Sequence, residues 1–183
     1  MSGAEVIEAM FDRVAPELRR DALEFEETDP RSSCPSFRLK NHRGERLFVL
    51  RFSSDARKYF PWFVQHRPGL TSCCDYAVFV ARGDVLHVLL LELKSSNGKG
   101  AAVQLKGGLQ ICEYLVRNVC RHAALTMPSM RFHGVVVAAS RAPTTGRPTD
   151  PLPYTEHAVL TATLRVCHIA PPDGFHLERF LGA

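Results

Sequence analysis

The run Val85–Leu93 constrains the fold more than any other part of the chain. It is apolar apart from His87 and Glu92 and has strand length, far short of the roughly 18 to 20 apolar residues a membrane span needs. A loop, Ser95-Ser-Asn-Gly-Lys-Gly100, follows it. Next comes a helical pattern from Ala101 to about Ala124, with Leu105, Leu109, Cys112, Val116 and Val119 on one stripe. Phe132–Ala139 is then a β-branched run of buried-strand type. Strand, helix and strand in that order predict a crossover unit, and hence an α/β fold with a central mixed β-sheet flanked by helices.

Upstream, Val6, Ile7, Met10, Phe11, Val14 and Leu18 predict an amphipathic helix over 4–20. Phe37–Lys40 and Leu47–Phe52 flank the turn signal Asn-His-Arg-Gly and predict one hairpin. Asp75–Val80 and Val85–Lys94 flank Ala-Arg-Gly-Asp and predict a second. Downstream of a proline-punctuated loop, the region 155–181 is expected to hold a last strand and a short helix. A chain of 183 residues suits a single domain, 1–183, with the core at about 45–140.

With 45% apolar and 23% charged residues, disorder and coiled coil are excluded. No apolar leader is visible, and the six cysteines show no paired spacing, so reduced thiols in a cytoplasmic protein are expected. The net charge of +4 is unevenly spread. Residues 1–30 hold 3 basic and 9 acidic side chains, whereas 38–67 hold 8 basic and 2 acidic ones, with Phe52, Tyr59, Phe60 and Trp62 interleaved. A basic stripe with aromatics suits a polyanion such as DNA, although aromatics of a solvated hairpin could equally point into the core.

The chemistry lies at the end of the apolar strand. Glu92 and Lys94 are two residues apart, so they share a strand face. If Arg82-Gly83 centres the hairpin turn, Asp75 opposes Leu90 and lies diagonal to Glu92. If Gly83-Asp84 does, Asp75 opposes Glu92 directly. Both registers bring Asp75, Glu92 and Lys94 together, and a three-residue loop would separate them. Opposed carboxylates repel unless neutralised, and a hard cation, Mg²⁺ or Mn²⁺, is the usual means. The Leu93 carbonyl could add a third ligand. Such a metal polarises a phosphodiester and acidifies a bound water, with Lys94 beside that water.

Asp75 followed by Glu92-x-Lys94 at a strand end and then a helix resembles the PD-(D/E)xK phosphodiesterase superfamily of restriction endonuclease-like proteins. That resemblance spans roughly 45–140 and implies an α-β-β-β-α-β core, Asp75 and Glu92 as metal ligands, and Lys94 as the catalytic lysine. Gln110-Ile-Cys-Glu-Tyr114 is similar to the Q-x-x-x-Y motif of the RecB-like branch, which implies that Gln110 and Tyr114 position the lysine or the DNA. Cys74 stands where the superfamily often has proline, and Glu5, Glu8 and Asp12 are candidates for an assisting acid from the first helix. The expected activity is metal-dependent DNA cleavage, with phosphates gripped by Arg43, Arg57, Lys58, Lys99, Lys106 and Arg117. The alternative is a module without turnover that binds nucleic acid or protein within a larger complex or as a homodimer. Eight histidines show no zinc spacing, and the loop before the long helix is not a nucleotide phosphate loop.

Overall fold

The computed structural model describes residues 3–21, 23–26, 36–41, 43–52, 71–94, 100–138, 152–159, 162–169 and 175–181. Helix α1 (Gly3–Arg13) opens the chain. It stops well short of residue 20, because Ala15 is extended ahead of Pro16, which has no amide hydrogen to continue the helix. A 3₁₀ turn (Pro16–Leu18) and two short strands that periodicity does not predict follow, β1 (Arg19–Arg20) and β2 (Glu24–Glu26).

Strands β3 (Ser36–Lys40) and β4 (Leu47–Arg51) form where strands were expected, but not as a hairpin. Asn41 closes the turn between them, donating to the Glu45 carbonyl at 2.9 Å and accepting from its N–H at 3.0 Å. The chain then changes layer. β4 pairs with β1 and with β5 (Tyr76–Arg82), whereas β3 pairs with β2 and β10 (Phe175–His176). Both strands have apolar faces, which they bury apart: Phe48 and Leu50 of β4 in the helix-side core, Phe37 and Leu39 of β3 in the other.

Strand β6 (Val85–Lys94), helix α2 (Ala101–His122) and β7 (Ser129–Ala138) form the expected crossover, with β6 and β7 parallel. The C-terminal region holds two strands, β8 (Thr155–Val159) and β9 (Ala162–Ile169), rather than one. Phe175–His176 is a strand, and only Glu178–Leu181 is helical (α3).

The large sheet runs β1-β4-β5-β6-β7-β9-β8 and is mixed: β6, β7 and β9 are parallel and the other pairings antiparallel. Alternation along each strand sends side chains to two covers. Leu86, Val88 and Leu90 meet α1 and α2 on one face. Leu89, Leu91 and Leu93 meet the small β10-β3-β2 sheet and α3 on the other. A strand buried on both faces cannot alternate polar and apolar, which explains the unbroken character of Val85–Leu93.

Candidate active site

The β5–β6 hairpin adopts the register in which Gly83-Asp84 forms the turn, pairing Arg82 with Val85 and Tyr76 with Leu91. Gly83 takes φ +58°, a left-handed value that glycine adopts without strain. One step beyond the paired residues, Asp75 brackets Glu92. The Asp75 N–H donates to the Leu91 carbonyl at 3.0 Å, and its Oδ2 accepts from the Leu93 N–H at 2.8 Å. Strand alternation places Glu92 and Lys94 on the face that carries Leu90, toward the helices.

Glu92 is only 1% exposed. A buried carboxylate requires a counter-charge, and the Lys94 ammonium lies 2.6 Å from its Oε1. The same ammonium donates to Gln104 Oε1 at 2.6 Å, so the lysine is held from the strand and from the first turns of α2. Gln104 is the residue that motif reading misses. The clue to it was position: a polar side chain at the start of a helix that follows a strand faces the end of that strand. Gln110 lies on the exposed side of α2, as does Tyr114 at 69% exposure.

Gly107 and Gly108 have a packing reason. A Cβ at Gly107 would run into the Ser72 carbonyl oxygen, and one at Gly108 into the Cys74 sulfur. The segment leading into Asp75 thus rests directly on α2, and the two glycines set where Asp75 sits. Burial, followed by the neighbouring Cys73 thiol, pushes the Cys74 thiol well above its ordinary value, so Cys74 packs as a neutral group. The five described cysteines are free.

Among the first-helix acids, Glu8 pairs with Arg46, and Asp12 lies 3.7 Å from Arg13. Arg43 is exposed and Lys106 half-buried, while exposed Arg117 pairs with Glu113 at 2.7 Å. Arg57, Lys58 and Lys99 lie outside the described residues, as do Tyr59, Phe60 and Trp62. Among the described residues no three His, Cys, Asp or Glu side chains gather as a ready metal cage. The donor set still fits a hard cation of the magnesium kind, which keeps several waters and takes one or two carboxylates. A carboxylate has about four acceptor positions, and the Leu93 N–H takes one of those on Asp75. No described helix is long and apolar enough to cross a membrane. Comparison of the chain with protein-family models, curated proteins and solved structures finds no match to any of them.

Proposed function

We infer that this chain is a metal-dependent nuclease of the PD-(D/E)xK kind, acting on the phosphodiester bonds of DNA. The observation that carries the reading is the placement of Asp75 across from Glu92 with the Lys94 ammonium 2.6 Å from the Glu92 carboxylate. Further support is the run β4, β5, β6, α2, β7, with α1 ahead of it beyond a 3₁₀ turn and the strands β1, β2 and β3, which contains the succession that the resemblance implies.

Asp75 and Glu92 are the residues that would hold Mg²⁺ or Mn²⁺, and the Leu93 carbonyl would add a third ligand. The bound ion supplies charge against the phosphate and acidifies a water. Lys94, fixed at two points, presents its ammonium to the attacking water or to charge developing on the phosphate. Gln104 would keep that ammonium aimed if Glu92 held an ion. Gln110 and Tyr114, open on α2, are placed to touch DNA rather than Lys94. Arg43, Lys106 and Arg117, with Arg57, Lys58 and Lys99, supply phosphate contacts.

One observation favours a module without turnover. The Glu92–Lys94 pair balances its own charge as a buried ion pair, with no ion required for neutrality. A cleavage assay on plasmid, linear double-stranded and single-stranded DNA with Mg²⁺, Mn²⁺ or EDTA separates the two. Cutting that needs metal and disappears in Asp75→Ala and Lys94→Ala establishes the nuclease. DNA binding that weakens with salt, without cutting, establishes the module.

A further inference from the structure

At the opposite end of the large sheet, the N-terminal ends of β7 and β9 border a cavity of about 400 Å³ lined by Met130, Arg131, His133, Thr163 and Arg165, among others. Arg131 and His133 are two apart on β7, and Arg165 is the register partner of His133 on β9, so the three share one sheet face. It is the face away from α2, while Met130, Phe132 and Ala162, which also line the cavity, belong to the α2 side, so the cavity sits at the end of the sheet.

Behind this cavity, His133 of its lining joins a buried polar cluster with His87 and Tyr154. His87 Nδ1 and His133 Nε2 lie 3.1 Å apart, with the rings stacked at 5.4 Å. A neutral pair shares one proton across that contact, leaving the second nitrogen of His133 to find its own partner. His133 is 2% exposed, and its Nδ1 has no hydrogen-bond partner among the described residues. Tyr154, whose ring centre lies 6.3 Å from that of His133, buries a hydroxyl likewise without a partner. Folded interiors rarely leave two such atoms without a partner. The charge around them is positive. Arg165 stacks over the Tyr154 ring at 4.3 Å, and its acidic neighbour, Glu156, is 3.9 Å away on the outer strand with its side chain 68% exposed. Arg131 has no ion-pair partner among the described residues.

We propose that this cavity binds a phosphate group, with Arg131 and Arg165 supplying charge and forked donors and His133 a hydrogen bond from the buried wall. Phosphate suits the site because its oxygens accept from several directions at once, and guanidinium forks match that geometry. Binding selects one tautomer: the His87 Nδ1–H donates to His133 Nε2, and the His133 Nδ1–H donates to the anion. The site lies at the other end of the sheet from Asp75, Glu92 and Lys94, so it does not rest on the nuclease reading.

The test is an NMR titration of the full chain, following the imidazole nitrogens of His133. The probes are inorganic phosphate, glycerol phosphate and a short DNA duplex without terminal phosphates. The expected result is a saturable change in which Nδ1 takes the protonated signature, weakened about tenfold or more in Arg131→Ala/Arg165→Ala. If the double variant fails to fold, Arg131→Gln and Arg165→Gln, each with an unchanged circular dichroism spectrum, carry the test singly. A response to the two small phosphates assigns a free phosphoryl group, and a response to duplex alone assigns backbone phosphodiester. The same titration in Asp75→Ala is expected to match the wild type, which separates this site from the nuclease site. No saturable change with any probe, or one that the arginine variants leave intact, overturns the proposal.

Discussion

The two ends of the large sheet handle buried polar groups in opposite ways. At the end of β6, Glu92 is buried and paired with a charge of the other sign, the Lys94 ammonium at 2.6 Å from its Oε1. At the start of β7, His133 and its neighbour His87 are buried among charges of their own would-be sign. Burial comes first and the nearby arginines second for His87, which is lowered from 6.5 to about 4. Burial, then His87, Arg165 and Arg131, lowers His133 from 6.5 to about 3. One end keeps its charges by pairing them, and the other sheds its protons. The sheet carries both because its strands end in different company: β6 runs into the helix that supplies Gln104, whereas β7 and β9 begin beside arginines.

This contrast breaks most sharply at Lys94. Lys94→Ala strands a buried carboxylate, and urea denaturation should show a loss of about 3 kcal/mol. Adding Glu92→Gln should restore roughly half of it, because an amide is far cheaper to bury than an unpaired charge. A loss below about 1 kcal/mol in the single variant would mean that Glu92 finds other compensation.

Gly107→Ala comes next. Its Cβ meets backbone, the Ser72 carbonyl, so the segment before Asp75 must move. The expected cost is about 2 to 3 kcal/mol, and under the proposed nuclease function cleavage falls further than stability because Asp75 moves with that segment. Equal stability and activity in the variant would show that the loop sits on α2 without positioning the carboxylate.

The histidine end responds to acid. The folded-state values lie below 6.5, so the unfolded chain binds more protons as pH falls through that value. Stability from the pair is therefore full above pH about 6.5 and declines below it. Between pH 6.5 and 5.5 each histidine should remove about 1 kcal/mol, above the range where carboxylates titrate. Urea midpoints across that window, compared with His87→Leu/His133→Leu, read this slope directly. A wild-type slope no steeper than that of the double variant would overturn the assignment.

The smallest effect is expected at a charge pair in neither class. Arg38 reaches both oxygens of Glu24 at 3.1 and 3.0 Å, but both side chains are exposed. Arg38→Ala should change stability by less than about 0.5 kcal/mol in the same urea assay, and less still in high salt.

Much of the first site follows from short-range pattern alone. The period of two put Glu92 and Lys94 on one face, and the turn residues left two registers, both of which kept Asp75 near. The stripe from Leu105 to Val119 marked the buried side of α2, and hence the open side that Gln110 and Tyr114 occupy. Those features are set by local geometry, which repeats every two or 3.6 residues whatever lies beyond.

Other features required the assembled fold. Nothing near Asn41 says that β3 and β4 part into different layers, because a turn is local and a strand's partner is not. Gln104 rather than Gln110 meets Lys94 because the distance from strand end to helix start, not a motif, sets which turn is in reach. Gly107 and Gly108 gain their meaning only when Ser72 and Cys74 arrive against them. His87 interrupts its strand visibly in the sequence, yet its partner stands 46 residues away. Local periodicity decides which side of an element is apolar. Only the long-range pairing of those sides decides which polar groups end up buried together, and with what charge beside them.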